Sequence, residues 1–323
     1  MRYYFAPLES VTTALFRKLH HQHFGGVTQY YMPFVSPTQQ HTFTPRHLRD
    51  LAPEYNEGVP AVPQILCRKA DDFIWSVRAL CEMGYPEVNL NLGCPSQTVT
   101  AKGKGSGFLR YPTELDSFLE ESYAAFAALP VKVSVKTRLG KLDAAEFGQI
   151  LEIYNRYPIA ELTIHPRVQK QFYKGKPDVA AFATALANSK NPVCYNGDIV
   201  TVADYQALMA QFPTLQSVMI GRGAMADPAL FTKLEGGQPL SKAALRDFSE
   251  DLFAQYAALY GNENNALIRM RDVWFYMVHL FAENDEFVQQ FRRCRTPVEY
   301  KILQNRIFKE CELRTDAGTG FQF

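Results

Sequence analysis

The stretch VNLNLGCPSQTVTAKGKGSG, Val88 to Gly107, contains the pattern from which the fold is predicted. An apolar run ends at Cys94, and a loop with lysines and alternate glycines follows. Short runs that are apolar on both faces are typical of buried parallel strands. A polar loop directly after such a run places reactive side chains at the carboxyl end of a strand.

Short β-rich runs of this kind recur at fairly regular intervals along the first 221 residues. They are YYFAP (Tyr3–Pro7), QYYMP (Gln29–Pro33), AVPQIL (Ala61–Leu66), EVNLNL (Glu87–Leu92), VKVSVKT (Val131–Thr137), AELTIH (Ala160–His165), PVCYN (Pro192–Asn196) and QSVMIG (Gln216–Gly221). Helical patterns fill most gaps between them. These cover Thr12–His23, Pro45–Leu51, Asp71–Met83, Thr113–Leu129, Asp143–Tyr154, Val179–Ala187 and Thr201–Gln211. Eight strands alternating with helices predict an α/β fold, a (β/α)8 TIM barrel. The first strand is not followed by the GxGxxG of a dinucleotide-binding Rossmann domain.

The pattern changes after GGQPL, Gly236 to Leu240. From Ser241 onward the sequence predicts amphipathic helices and no strand. They cover Ala243–Leu259, Asn265–Ala282, Glu286–Cys294 and Thr296–Glu312. We therefore expect a barrel domain over residues 1–240 and a small all-helical domain over 241–323, whose closing TDAGTGFQF forms a frayed tail.

Composition restricts the class of protein. The formal net charge of the 323 residues is +1, so any surface for a polyanion must be local. The six cysteines form no CxxC pair and no zinc-like spacing, which predicts reduced thiols and no metal site. The N-terminus lacks the apolar core of a signal peptide, and no apolar run approaches the length of a membrane span. We expect a cytoplasmic monomer that is not associated with a membrane.

Polar residues stand at the ends of six of the predicted strands. They are Gln64, Asn91 with Cys94, Lys136 with Arg138, His165 with Arg167, Asn196 with Asp198, and Gly221 with Arg222 and Gly223. A single buried lysine or histidine is most often structural. Six such strand ends together indicate a functional site, because the chemistry of these barrels lies at the carboxyl ends of the strands.

Two of these ends predict a phosphate site. Asn196-Gly197-Asp198 and Gly221-Arg222-Gly223 follow the seventh and eighth strands, where barrels commonly bind phosphate. Glycines admit backbone N–H groups to the anion, and Arg222 adds positive charge. The alternative interpretation is that both stretches are ordinary tight turns.

The next strand ends predict a flavin. Lys136 and His165 lie on adjacent strands and would donate hydrogen bonds to a reducible ring, while Gln64 and Asn91 would bind its amide-like edges. Together with the phosphate site this pattern is typical of FMN. The competing interpretation makes Lys136 a Schiff-base nucleophile, as in barrel aldolases. Against it, Arg138 is near and no carboxylate partner is evident on the neighbouring strands.

Cys94 differs from the other cysteines because it precedes Pro95 at a strand end. A thiol there is a nucleophile or a general acid, and a Cys–His pair formed through space stays an alternative. We favour a proton donor that faces a flavin. The alternate glycines would let the loop close over substrate, and the lysines would attract an anion.

These motifs together resemble the tRNA-dihydrouridine synthase family. The similar stretches are Asn91-Leu-Gly-Cys94-Pro95-Ser96 with Val99 and three alternate glycines, Ala6-Pro7-Leu8-Glu9, the VSVKTRLG segment, His165 with Arg167, Asn196-Gly197-Asp198 and Met219-Ile-Gly221-Arg222-Gly223. The resemblance implies that FMN, reduced by NADPH, passes a hydride to C6 of a uracil in tRNA, and that Cys94 protonates C5. The residues implied to hold the cofactor are Pro7, Leu8, Gln64, Lys136, His165, Asn196, Asp198, Gly221, Arg222 and Gly223. Those implied to bind the nucleotide are Asn91, Arg138 and Tyr173.

A tRNA partner requires a basic surface, because phosphate contacts dominate affinity. The chain from Val288 to Lys309 has such a bias, and we predict that Arg292, Arg293 and Arg295 contact tRNA, with Tyr276 and Tyr300 available for stacking. The alternative function is an FMN-dependent dehydrogenase of the dihydropyrimidine or dihydroorotate type, which acts on a free pyrimidine. Such an enzyme would not need a basic helical domain.

Overall fold

The computed structural model describes residues 1–318; residues 319–323, part of the predicted frayed tail, lie outside the described residues. The chain divides into two compact units. The first, here the barrel unit, comprises Met1–Pro7, Gln29–Gly197 and Phe212–Met219. The second, here the helical unit, comprises Leu8–Thr28, Asp198–Gln211 and the chain from Ile220 onward. The boundary predicted between residues 240 and 241 stays a prediction.

One parallel sheet of nine strands forms the centre of the barrel unit. The strands are β1 (Arg2–Phe5), β2 (Gln29–Tyr31), β3 (Ala61–Val62), β4 (Gln64–Ile65), β5 (Glu87–Leu92), β6 (Lys132–Arg138), β7 (Leu162–His165), β8 (Val193–Asn196) and β9 (Ser217–Ile220). Their order in the sheet is β3-β2-β1-β9-β8-β7-β6-β5-β4. Every run that the sequence predicted as a strand is therefore present.

The two edges of this sheet belong to a single run of sequence. β3 pairs with β2 and β4 pairs with β5, and only Pro63 separates β3 from β4. Proline has no N–H to donate, so it interrupts the ladder. Its carbonyl still accepts from the Asn89 N–H at 2.9 Å. The predicted third strand thus splits in two and closes the sheet, which confirms the predicted TIM barrel.

Helices follow the strands much as the sequence predicted. They are α1 (Ala14–His23), α2 (Pro45–Leu51), α3 (Ala70–Glu82), α4 (Gln97–Thr100), α5 (Pro112–Phe126), α6 (Phe147–Tyr154), α7 (Val179–Asn188), α8 (Val202–Gln211), α9 (Arg222–Ala226), α10 (Leu230–Leu234), α11 (Lys242–Tyr260), α12 (Glu263–Met277), α13 (Asp285–Arg293) and α14 (Pro297–Glu310). Several begin at a side-chain cap: Thr44 accepts from the His47 N–H ahead of α2, and Asp178 accepts from the Ala181 N–H ahead of α7. Short 3-10 turns cover Pro53–Tyr55, Gly105–Arg110, Ala144–Glu146, Gln169–Gln171 and Val278–Leu280.

The C-terminal helices of the helical unit pack around aromatic side chains. Trp274 stacks on Phe291 with 4.3 Å between ring centroids, and its Nε1 donates to the Tyr300 hydroxyl at 3.0 Å. Among residues 241–318 the only β-pairing is an isolated antiparallel bridge between Phe281 and Leu313. In residues 1–318, no helix combines the length and the apolar character needed to cross a bilayer.

Candidate active site

The register of the barrel sheet brings the predicted strand-end residues side by side. Asn91 on β5 lies opposite Lys136 on β6, and Arg138 on β6 lies opposite His165 on β7. Residues two apart on a strand share a face, so Lys136 and Arg138 point the same way. These four residues therefore lie at one end of three neighbouring strands, as the sequence predicted.

Asn91 connects the strand to the loop that carries the thiol. Its Oδ1 accepts from the Gly93 N–H at 3.0 Å and from the Cys94 N–H at 2.9 Å. Its Nδ2 donates to Oε1 of Gln64 at 2.7 Å. Gln64 has no exposed surface, and its Nε2 donates to Asn89. A contact of Gln64 with a bound ring therefore requires a rearrangement of these amides.

The loop after Cys94 is packed rather than open. Ser106 donates to the Cys94 carbonyl from its N–H at 3.1 Å and from its hydroxyl at 2.8 Å. Gly105 has a φ of +57°, and a Cβ there would lie 2.8 Å from that carbonyl oxygen. At Gly107 a Cβ would lie 2.7 Å from the Thr100 carbonyl oxygen. The glycines that the sequence suggested as a hinge thus permit a left-handed turn and close backbone contacts.

Arg138 ties this loop to the loop after β7. Its guanidinium is 1% exposed, and it donates to the Gly93 carbonyl at 3.0 Å and to the Val168 carbonyl at 3.1 Å. The Tyr173 ring lies 5.4 Å from its guanidinium carbon and 6.1 Å from the His165 ring. Tyr173 is 47% exposed, so part of its side chain is accessible to a ligand. Arg138, His165 and Tyr173 form one cluster.

Arg167, to which the sequence interpretation assigned no role, is a hydrogen-bond partner of His165. Arg167 donates from Nη1 to Nε2 of His165 at 3.0 Å, and from Nη2 to the Gly175 carbonyl at 2.6 Å. Arg167 is 1% exposed. It orients the imidazole and the following loop together. The spacing of two residues after His165 was the sequence signal for this contact, since such residues share a face of an extended chain.

At this site, Lys136 is the charged group to which a bound cofactor would supply a partner. Within residues 1–318 its ammonium has no hydrogen bond and no ion pair. Burial is the main cause that lowers its pKa to about 8, and the Arg138 charge adds to the effect, while Cys194 and Cys94 act in the opposite direction. An anion beside Lys136 would relieve this cost. The donor set therefore fits a ring whose reduced form is negatively charged.

The predicted phosphate residues of the helical unit also lie together. Arg222 donates from Nη2 to Oδ1 of Asp198 at 2.9 Å. A Cβ at Gly223 would lie 2.2 Å from the Ile199 carbonyl oxygen, so only glycine permits this contact. α9 begins after Gly221 with no side-chain cap on its first N–H groups. These features fit an anion, because the start of a helix offers backbone donors.

Three further residues are predicted to hold the cofactor, and two of them have hydrogen-bond partners within their own units. In the barrel unit, Asn196 donates from Nδ2 to the Met219 carbonyl at 2.8 Å, and Pro7 follows the end of β1. In the helical unit, the Leu8 N–H donates to the Thr12 hydroxyl at 3.0 Å. Leu8 would therefore contact a ligand through its side chain, since its backbone donor is engaged.

The arginines predicted to contact tRNA end α13 and begin the next connection. Arg292, Arg293 and Arg295 are exposed, and their side chains form no ion pair within the described part of the chain. Arg293 also lines a cavity of about 350 Å³ together with Cys294 and Ile302. These three arginines and Lys309, which is also exposed and forms no ion pair within residues 1–318, are the basic groups of this region that remain open to a partner.

Two expectations about the same surface are corrected. Tyr300 has no exposed surface, so the prediction that it stacks on RNA is wrong. Two of the neighbouring basic residues are already paired, since Lys301 contacts Glu263 at 2.8 Å and Arg306 contacts Glu310 at 3.1 Å. The basic surface is consequently smaller than the sequence indicated.

Within the described residues, metal-ligating side chains do not form a cluster. Over residues 1–318, His, Cys, Asp and Glu form no group of three or more that would hold a metal ion. None of the six cysteines, all of which lie in this range, forms a disulfide.

Solved structures with a similar fold support the barrel. A 2-naphthoyl-CoA reductase in complex with 2-naphthoyl-CoA superposes with a TM-score of 0.55 at 13% identity over 73% of this chain. This chain spans 50% of the length of that reductase. A morphinone reductase mutant in complex with tetrahydroNAD gives a TM-score of 0.52 at 11% identity, and covers 75% of this chain and 89% of its own. At these identities the likeness concerns the fold.

Sequence comparison identifies the family. A probable tRNA-dihydrouridine synthase of Rhodobacter capsulatus is 28% identical over 84% of this chain and 84% of its own. A tRNA-dihydrouridine synthase B of Pasteurella multocida is 26% identical over 97% of this chain and 96% of its own. The family model for dihydrouridine synthase matches residues 4–312. The chain therefore belongs to the dihydrouridine synthase family of flavin-dependent oxidoreductases.

Proposed function

We propose that this protein is a tRNA-dihydrouridine synthase, a monomer in the cytoplasm that reduces the C5–C6 bond of uridines in tRNA with FMN and NADPH. The observation that carries the proposal is the pairing of two strand ends. β5 leads into the hydrogen-bonded loop of Cys94, and β6 presents Lys136, whose ammonium has no partner within residues 1–318. In a chain of this family, these two strand ends support the assignment of Cys94 as the proton donor and of Lys136 as a cation that contacts the cofactor.

The residues proposed to bind FMN fall into two sets that differ in their chemistry. Lys136 and His165 would hold the ring, because each presents an N–H donor at a strand end. Gly221, Arg222 and Gly223 would hold the phosphate through backbone donors and one guanidinium. Asp198 would keep Arg222 oriented, as it does in the ion pair. Pro7, Leu8 and Asn196 would contact the cofactor around these groups.

The protein side chains supply binding and the proton. Bound FMN would supply the hydride chemistry, with reducing equivalents from NADPH passing to C6 of the uracil. Cys94 would donate the proton to C5 as the general acid. Asn91 fixes the backbone of Cys94, Arg138 joins the two loops that flank the base, and Tyr173 offers an exposed ring on which the base stacks.

The tRNA would reach the helical unit through Arg292, Arg293 and Arg295. Exposed arginines without an ion pair bind phosphate oxygens and release counterions, which supplies affinity without reading sequence. Uridine reduction also requires the target base to leave its stack, and RNA loops with splayed bases provide this. The relatives named as tRNA-dihydrouridine synthases support the choice of substrate.

Nucleoside analysis tests the proposal directly. Total tRNA from a strain that lacks the protein is expected to lose dihydrouridine at one or more positions, and expression of the wild-type chain restores it. Purified flavin-loaded protein is also mixed with unmodified tRNA or with free uracil. Oxidation of the reduced flavin by tRNA alone supports the proposal. Oxidation by free uracil at an equal or higher rate assigns the chain to the pyrimidine dehydrogenases and contradicts it.

A further inference from the structure

A continuous chain of hydrogen bonds crosses the interior of the barrel unit and ends at the backbone of Cys94. Its links are Ser134 Oγ to Glu87 Oε1 at 2.6 Å, Asn89 Nδ2 to Ser134 Oγ at 2.9 Å, Gln64 Nε2 to Asn89 Oδ1 at 2.7 Å, Asn91 Nδ2 to Gln64 Oε1 at 2.7 Å, and Cys94 N to Asn91 Oδ1 at 2.9 Å. Gln64, Asn89 and Ser134 have no exposed surface, and Asn91 is 6% exposed. Water does not therefore replace these partners.

The groups at both ends of the hydrogen-bond chain allow only one donor-to-acceptor direction along it. The Glu87 carboxylate has only acceptors, and it also accepts from Gln29 at 3.1 Å and from Tyr31 at 3.2 Å. Ser134 must then donate to Glu87 and accept from Asn89. At the other end the N–H groups of residues 93 and 94 only donate, so Asn91 must turn its oxygen toward them.

The side-chain amide orientations of Asn89 and Gln64, in the middle of the hydrogen-bond chain, are fixed as a result. Given the direction at both ends, Asn89 must accept from Gln64, and Gln64 must accept from Asn91. Each amide has an oxygen on one side and a nitrogen on the other, so a flip of any one places two donors or two acceptors together. Such a mismatch in a buried site costs the full desolvation of the groups left unpaired.

We propose that Ser134 and Asn89 are positioning residues for the thiol. Starting from Glu87, they fix the amide orientation of Gln64 and Asn91, and Asn91 in turn holds the first residues of the Cys94 loop. The consequence for catalysis rests on the proposed function, in which Cys94 is the proton donor. The hydrogen-bond chain itself is testable without that assumption.

The first test reverses the chain. In Asn91→Asp one carboxylate oxygen still accepts from the backbone, but the other faces Gln64 and forces it to turn its nitrogen toward residue 91. Asn89 then turns as well, and Ser134 donates to it. The Ser134 oxygen now faces the Glu87 carboxylate with no proton between them. Glu87→Gln supplies that missing donor, and the double variant also keeps the charge of the wild type.

Thermal unfolding of the cofactor-free protein measures the outcome. Asn91→Asp is expected to lower Tm by about 5 °C or more. The double variant Glu87→Gln with Asn91→Asp is expected to recover at least half of this loss. Recovery of folding by the double variant, if Asn91→Asp alone does not fold, supports the proposal equally. A double variant that melts no higher than Asn91→Asp, or that also fails to fold, overturns the proposed chain.

The second test connects the chain to the thiol. Ser134→Ala removes the link to Glu87, and Ser122→Ala is its matched control, since the buried Ser122 hydroxyl has no hydrogen-bond partner within residues 1–318. In flavin-loaded protein, Ser134→Ala should slow flavin reoxidation by tRNA about tenfold and leave flavin reduction by NADPH unchanged. Ser122→Ala should change neither rate.

The two tests separate the possible failures. If the wild type itself is not reoxidised by tRNA, the proposed function fails. The Tm comparison still decides whether the hydrogen-bond chain is present. If the wild type is active and Ser134→Ala is reoxidised at the wild-type rate, the positioning role is overturned.

Discussion

Arg167 donates a hydrogen bond from its guanidinium to Nε2 of His165 at 3.0 Å. Arginine has no acceptor, so this ring nitrogen must carry a lone pair. The imidazole is therefore neutral, with its proton on Nδ1, and Nδ1–H is the one donor of the ring. The contact with Arg167 therefore identifies Nδ1–H as the hydrogen-bond donor that was predicted for His165.

Nitrogen NMR of labelled histidine tests this tautomer. We expect the Nδ1–H form of His165 in the wild type at neutral pH. His20 is an internal reference with the opposite tautomer, because its Nε2 must donate to the Pro228 carbonyl at 2.8 Å, and burial lowers its pKa to about 3. Arg167→Met should release Nε2 of His165 and mix its tautomers. An Nε2–H signal for His165 in the wild type would contradict the assignment.

Flavin affinity should depend on pH through Lys136. The pKa of Lys136 is lowered to about 8, mainly by burial, so its charge is lost as the pH rises above 8. Because the negatively charged ring of reduced FMN favours the ammonium, the affinity for reduced FMN should fall by up to about tenfold between pH 8 and 9. Lys136→Met should bind about 10- to 100-fold more weakly at pH 7, and its affinity should not change over the same range. Equal pH dependence in both proteins would remove Lys136 from the site.

The same shift predicts the stability of the cofactor-free protein. Between about pH 8 and the ordinary lysine value of 10.5 the folded chain binds fewer protons than the unfolded chain. Its free energy of unfolding should therefore rise with pH in this window relative to Lys136→Met. Urea denaturation of the two proteins at pH 7.5 and pH 9.5 measures the difference. If the wild-type free energy of unfolding minus that of Lys136→Met does not become more positive from pH 7.5 to pH 9.5, Lys136 is not desolvated.

Because the Cys94 loop is closely packed, a substitution at Gly105 tests whether the position of Cys94 affects catalysis. Gly105→Ala adds a left-handed strain of about 1–2 kcal/mol and a Cβ 2.8 Å from the Cys94 carbonyl oxygen. Gly84→Ala is the matched control, because Gly84 has a φ of +91° and no atom within 4 Å of the added Cβ. Both variants should be destabilised, and only Gly105→Ala should slow flavin reoxidation by tRNA. If Gly105→Ala and Gly84→Ala are reoxidised at the same rate, the position of the loop does not affect catalysis.

Charge reversal tests the surface proposed to bind tRNA. Arg292→Glu, Arg293→Glu and Arg295→Glu should each weaken tRNA binding and lower the slope of affinity against salt by about 1 for each phosphate that is no longer neutralised. NADPH oxidation by the flavin should not change. Lys190→Glu is the control, since Lys190 is exposed ahead of β8, at the amino end of the strands. Arginine variants that behave like Lys190→Glu would make this an ordinary solvated surface.

The barrel was predictable because its signals are local. Each strand is an apolar run, and α2 spans Pro45 to Leu51 as predicted, with a proline in its first turn and a threonine cap. The burial of Tyr300 was also readable, since it shares a helical face with Leu303 and Ile307, and all three are buried. The sequence interpretation overlooked that spacing.

The remaining features depend on contacts between distant residues. Gly103 has a φ of +64°, and a Cβ there would lie 2.5 Å from the Arg68 side chain, a neighbour from another loop, which the sequence pattern does not indicate. Lys301 meets Glu263 on a different helix, which removes it from the basic surface. Asn89 was overlooked as a site residue although it stands two positions before Asn91, on the same face of β5.

The central claim is that Cys94 is the proton donor to C5 of the uracil. Cys94→Ala should keep bound FMN, keep NADPH-dependent flavin reduction and still bind tRNA, because Asn91 holds residue 94 through its backbone N–H. The measurement is single-turnover oxidation of the pre-reduced enzyme by unmodified tRNA. We predict that Cys94→Ala is reoxidised about 10²- to 10⁴-fold more slowly than the wild type. Reoxidation at the wild-type rate would contradict it and leave the thiol with a packing role alone.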